Sequence, residues 1–91
     1  MNGFDSIMLE VAAELRSAKQ KFPEWPHDMV HGAAIVAEES GELQQACLQA
    51  AYEQGPREKA HTEAIHTAAM AIRFLMNFDR MNNTPSQQFV E

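Results

Sequence analysis

The chain has 91 residues, with 7 basic side chains against 13 acidic ones and a formal charge of −6. That length is one domain with a modest core, and 45% hydrophobic with 22% charged residues excludes disorder along the whole chain. The acidic balance argues against nucleic-acid binding through phosphate contacts, and no apolar run reaches the ~20 residues that span a bilayer.

Prolines and glycines divide the sequence into three helical stretches. Strand-like alternation and β-branched runs are absent, so the expected class is all-α, with a single domain over residues 1–81. The first stretch runs from about Asp5 to Lys21. Phe4, Met8, Val11, Leu15, Ala18 and Phe22 are spaced by four and three in turn, which makes one apolar stripe. Asp5 or Ser6 is placed to cap its start. Asp5, Glu10 and Glu14 also interrupt any signal-peptide pattern. Phe22-Pro23-Glu24-Trp25-Pro26 then breaks the helix.

The second stretch runs from about His27 to Gln54, long for a lone small domain. One side is built of small residues, among them Gly32, Ala33, Ala37, Gly41 and Ala46, so close packing against another copy of the chain is expected. Its single cysteine, Cys47, excludes an internal disulfide and a multi-cysteine zinc site and favours a cytoplasmic protein. Gly55-Pro56 ends this helix and opens the third, and so short a link makes the two antiparallel neighbours. The third stretch runs from Pro56 to about Met81, with two apolar stripes: Ile65, Ala68, Ile72 and Leu75, then Phe74, Phe78 and Met81. Two apolar faces imply burial by this chain and by a partner. The polar tail from Asn82 to Glu91 is expected to be loosely ordered.

The chemistry-bearing segment is Glu38-Glu39-Ser40-Gly41-Glu42. Spacings of three and four put these carboxylates on one side of the helix, where they repel. A hard divalent cation with oxygen ligands, Mg²⁺ or Mn²⁺, relieves that repulsion. Glu63 and His66, three apart on the antiparallel third helix, lie at a compatible level. Glu38, Glu39, Glu42, Glu63 and His66 are therefore expected to converge. The alternative is a solvated acidic face.

Glu38-Glu39-x-x-Glu42, a 20-residue spacer and Glu63-x-x-His66 resemble the pattern EExxE, spacer, ExxD of the all-α nucleoside triphosphate pyrophosphohydrolases. These are the MazG-like group related to dimeric dUTPases. The resemblance covers roughly residues 28 to 76. It implies a homodimer or dimer of dimers in which helices of two subunits form a four-helix bundle. It implies that Glu39, Glu42, Glu63 and residue 66 hold Mg²⁺, with Glu38 in the same cluster. The implied reaction is attack of water between the α- and β-phosphates of a nucleotide, giving a monophosphate and pyrophosphate. Glu38 is the preferred proton acceptor. His66 stands where the family carries aspartate. Imidazole suits Mn²⁺ better than Mg²⁺, so a changed metal, a His66 beside the metal rather than on it, and a weakened site are all open.

The same residues support a second class, since Glu-x-x-His plus a neighbouring glutamate, doubled by symmetry, is the ligand set of di-iron carboxylate bundles. A non-catalytic helical assembly module is a third. Trp25 could stack on a base or plug the helix ends. Arg73 and Lys59 could meet phosphate oxygens, with a Lys59–Glu63 pair as the structural alternative.

Overall fold

The computed structural model describes residues 3–85, and these are helical with no strand among them. Helix α1 spans Gly3–Lys21, α2 Met29–Tyr52 and α3 Arg57–Met76, followed by one 3-10 turn at Phe78–Arg80. None of the helices is long and apolar enough to cross a membrane.

Helix α3 lies in the middle, packed on one flank by α1 and on the other by α2. Contacts between α1 and α3 rise together along both, from Glu10 with His61 to Glu14 with His66 and Phe22 with Arg73, so the two run parallel. The α2–α3 pair is antiparallel, as the short link requires. The result is a layer of 49 × 33 × 20 Å, about two helix diameters at its thinnest. Val11, Ala18, Ala69 and Met70 form the apolar centre, with Leu15, Ile35, Val36 and Ile65 packed around them.

Helix α2 starts two residues later than the apolar pattern implies, because Asp28 caps it. Its Oδ1 accepts the His31 backbone N–H at 2.9 Å and its Oδ2 lies 2.5 Å from the His31 ring. Helix α3 stops at Met76 rather than Met81. There Asn77 donates from its side chain to the Arg73 carbonyl at 2.8 Å, and the chain tightens into the 3-10 turn. That turn brings Met81 back into the structure, where it is buried and its Sδ accepts from Trp25 Nε1 at 3.2 Å.

Asn82, the first residue of the expected tail, is itself tied down. Asn82 donates to the His27 carbonyl at 2.7 Å and accepts from Met29 N–H at 2.9 Å, a parallel bridge that pins it beside the start of α2. Residues 86–91 of that expected tail lie outside the described residues.

At the α2–α3 link the left-handed position falls on Gln54, with φ 60°, not on Gly55. Gly55 serves close approach instead: a Cβ there would sit 3.0 Å from Gln49 Cβ, and its N–H reaches the Gln49 carbonyl at 2.9 Å. Gly32 is confined too, since an added Cβ would meet Met81 Sδ at 3.1 Å and the Phe74 ring at 3.2 Å. Gly41 has open space around it.

Gly41→Ala raises the urea midpoint by an amount equivalent to about 0.5–1 kcal/mol, the ordinary helix gain, whereas Gly32→Ala lowers it because Met81 and Phe74 must give way. The Gly41→Ala gain holds where this side of α2 is open, as it is in the single chain; a lowered midpoint would mean that a second copy of the chain reaches Gly41. Asp28 is held below the usual carboxylate range by its hydrogen bonds from the His31 ring and the His31 N–H, against an opposing effect of burial. Its stabilisation is therefore complete above the unfolded carboxyl pKa of about 3.9 and is lost as pH falls through the lower folded value. Asp28→Asn should be less stable than wild type at neutral pH and equal to it in strong acid, measured by thermal melts across pH.

Candidate metal centre

The buried and half-buried positions of α2 include Gly32, Val36, Glu39, Leu43, Ala46 and Ala50, spaced by four and three in turn as in the seam of a packed helix pair, and Gly32 and Glu39 of this row lie against Phe74 and His66 of α3. Glu39 is thus a charged residue inside an apolar seam. On α3, Glu63, His66, Met70 and Arg73 follow the same rhythm, and on α1 Val11, Glu14 and Ala18 do. One ionisable residue from α1, one from α2 and two from α3 meet in this layer.

His66 is at its middle. Its Nδ1 lies 3.6 Å from Glu63 Oε1 and 3.9 Å from Glu39 Oε1, and its Nε2 lies 3.6 Å from Glu14 Oε1. One donor atom each from Glu39, Glu63 and His66 falls within 4.8 Å of the others. The Glu63 side chain is only 12% exposed and that of Glu39 23%. Glu39 Oε1 and Glu63 Oε1 are both buried without a hydrogen-bond partner. Orphaned acceptors of this kind cost about 1–3 kcal/mol each, more when charged, unless a donor or a cation meets them. Burial pushes the Glu39 carboxyl above its ordinary range; Glu42, Glu63 and Glu38 push the same way and His66 opposes them. Two inward carboxylate oxygens and an imidazole nitrogen at such separations suit a small divalent cation, and the imidazole tilts the set toward Mn²⁺ or another transition metal.

The centre opens onto a groove of about 880 Å³ whose apolar walls include Phe22, Trp25, Ile35 and Met70. Glu14, Glu38, Glu39 and His66 also line it. Glu38 is exposed there, free to meet water. Glu42 is exposed and stands outside the triplet, one residue before Leu43 of the seam, although its charge reaches Glu39. Lys59 is exposed near the start of α3 and is not among the groove's lining residues.

Trp25 and Arg73 do line the groove, but Arg73 is already engaged. It is buried, donates to the Phe22 carbonyl and to the Glu24 carbonyl at 3.4 Å, and stacks 5.3 Å from the Trp25 ring centre. Burial lowers its pKa. Arg73 is therefore a clamp on the proline-rich connection, with Nη2 committed to it. Trp25 is fixed from both sides, by Arg73 and by Met81, with its ring at the groove wall.

Glu14 is the member of the layer that sequence reasoning missed. Its signal was local: a glutamate three residues after Val11 and four before Ala18, inside the apolar stripe of α1. No protein-family model, curated protein or solved structure matches the chain.

Glu39→Gln removes one carboxylate from the crowded layer, so the metal-free variant should melt higher than wild type, by roughly 1 kcal/mol of stability. It should also lose most of any Mn²⁺-induced rise in melting temperature. Gln at the exposed position 38 should leave both readouts nearly unchanged.

Proposed function

We propose that this protein is a metal-dependent nucleotide pyrophosphohydrolase that cleaves a nucleoside triphosphate, or a related nucleotide, to a monophosphate and pyrophosphate. The observation that carries this reading is the convergence of Glu39, Glu63 and His66, with two buried carboxylate oxygens lacking any donor, beside an open groove. The EExxE and Glu63-x-x-His66 resemblance to the MazG-like pyrophosphohydrolases supports it independently.

In this reading Glu39, Glu63 and His66 hold the cation, with Glu42 near enough to add charge. A divalent cation there supplies neutralisation of the triphosphate and of charge developing on its oxygens. Glu38, exposed on the groove, accepts the proton of the attacking water. Trp25 offers a held aromatic face for the base. Arg73 contributes by keeping that face in place. Lys59 does not line the groove, so beside the metal the cation placed to meet phosphate is Lys21, which is exposed and lines it.

A second copy completes the architecture, pairing α2 and α3 with their counterparts in a four-helix bundle. The surface for it is the apolar face around Val36, Phe74 and Leu75, with Val30 and Leu75 more than half exposed. The position of His66 inside the triplet, with Glu42 outside it, favours one further reading, a di-iron carboxylate bundle. Iron loading with near-ultraviolet absorption and no nucleotide turnover would select that one.

Incubated with a panel of nucleoside triphosphates, wild type should release pyrophosphate, and faster with Mn²⁺ than with Mg²⁺. His66→Asp should shift the ratio of the two rates toward Mg²⁺ by about tenfold, because carboxylate replaces imidazole. Absence of turnover with every nucleotide and both metals removes the proposal.

A further inference from the structure

His66 has two ring nitrogens, and the structure gives them different neighbours. Nδ1 faces Glu39 and Glu63, the two residues whose buried oxygens lack partners. Nε2 faces away from them, toward Glu14 Oε1 on α1 at 3.6 Å. Glu14 does not belong to the group of mutually close donor atoms. It is half-buried between Val11 and Ala18 on the α1 seam, both of which are buried, so its backbone is anchored against α3.

A neutral imidazole carries one proton, and the nitrogen that donates it decides which nitrogen keeps a lone pair. A histidine that ligates a metal ordinarily gives its other N–H to a carboxylate or carbonyl, which fixes the ring and strengthens the donor. We infer that Glu14 is a positioning residue: it accepts the Nε2–H of His66 and so directs the Nδ1 lone pair into the space shared with Glu39 and Glu63. This rests on the metal centre proposed above and adds to it a role for α1. At 3.6 Å the contact is longer than a formed hydrogen bond, and a cation held at Nδ1 would favour its closing by leaving the ring proton on Nε2. The consequence is that α1, which supplies no ligand, sets the affinity of a site built on α2 and α3.

Glu10 provides the control. It lies one turn earlier on α1, is exposed, and pairs with His61 at 2.8 Å, so removing it takes the same charge from the same helix without touching His66. The experiment is a calorimetric titration of the full chain with Mn²⁺ alone, with no nucleotide, for wild type, Glu14→Ala, Glu14→Gln and Glu10→Ala, alongside metal-free melts. Glu14→Ala should weaken Mn²⁺ binding by about tenfold to a hundredfold. Glu14→Gln, whose amide oxygen still accepts a hydrogen bond, should recover part of that loss, and Glu10→Ala should bind nearly as wild type does.

Equal losses in Glu14→Ala and Glu10→Ala would overturn the inference in favour of a general charge effect. Equal losses in Glu14→Ala and Glu14→Gln would overturn it in favour of direct ligation through the carboxylate. A lower metal-free melt with unchanged Mn²⁺ affinity would make Glu14 a packing residue only. Wild type that binds no Mn²⁺ would bring down the metal centre itself, a result distinct from the other three.

Discussion

Three carboxylates and one imidazole, drawn from three helices, share one layer of an otherwise apolar interface. That is the condition the rest of the molecule has to meet. Elsewhere in the seams the residues are Val11, Ala18, Ala69 and Met70, which close-pack without any polar obligation. In the layer of Glu14, Glu39, Glu63 and His66, like charges face one another where water is partly excluded, so their repulsion is poorly screened. A single imidazolium could offset one negative charge at most. The layer is therefore costly for an empty site and well matched to one that gains a cation, and an interior that keeps such a cost does so most often for function.

The helical plan was legible because its periodicity is strong. Alternating steps of four and three, the proline-rich break after Phe22 and the Gly55-Pro56 link all have direct local causes, and each appears in the structure within a few residues of its expected place. Glu39, Glu63 and His66 were legible as candidates, since two short motifs at compatible levels of antiparallel neighbours are able to meet, and the structure brings one donor atom of each within 4.8 Å of the others.

What spacing could not supply was rotation and register. Glu38, Glu39 and Glu42 share one broad side of α2, and only the seam separates Glu39, which points at α3, from the two that stay exposed. Glu14 was hidden for a different reason. Its partner His66 is 52 residues away in sequence, and no sequence signal says that α1 lies beside α3 and parallel to it. The end of α3 followed the same logic: Asn77 closes the helix with side-chain and backbone bonds to Arg73, a capping choice that the apolar stripe running on to Met81 conceals.

The placement of Arg73 links the ion cluster to the groove. Glu63, His66, Met70 and Arg73 occupy successive turns of one helix face, so cluster and clamp are about 10 Å apart on a single rigid element. Arg73 gives Nη2 to the Phe22 and Glu24 carbonyls and holds its guanidinium over Trp25, while Trp25 reaches Met81 and Asn82 ties back to His27 and Met29. The proline-rich connection, by composition the least regular part of the fold, is thereby fastened to the helix that carries two of the three inward donors. A loop held this way keeps its aromatic wall at a constant distance from the cluster. Under the proposed function, geometry of that kind lets one ligand reach both at once.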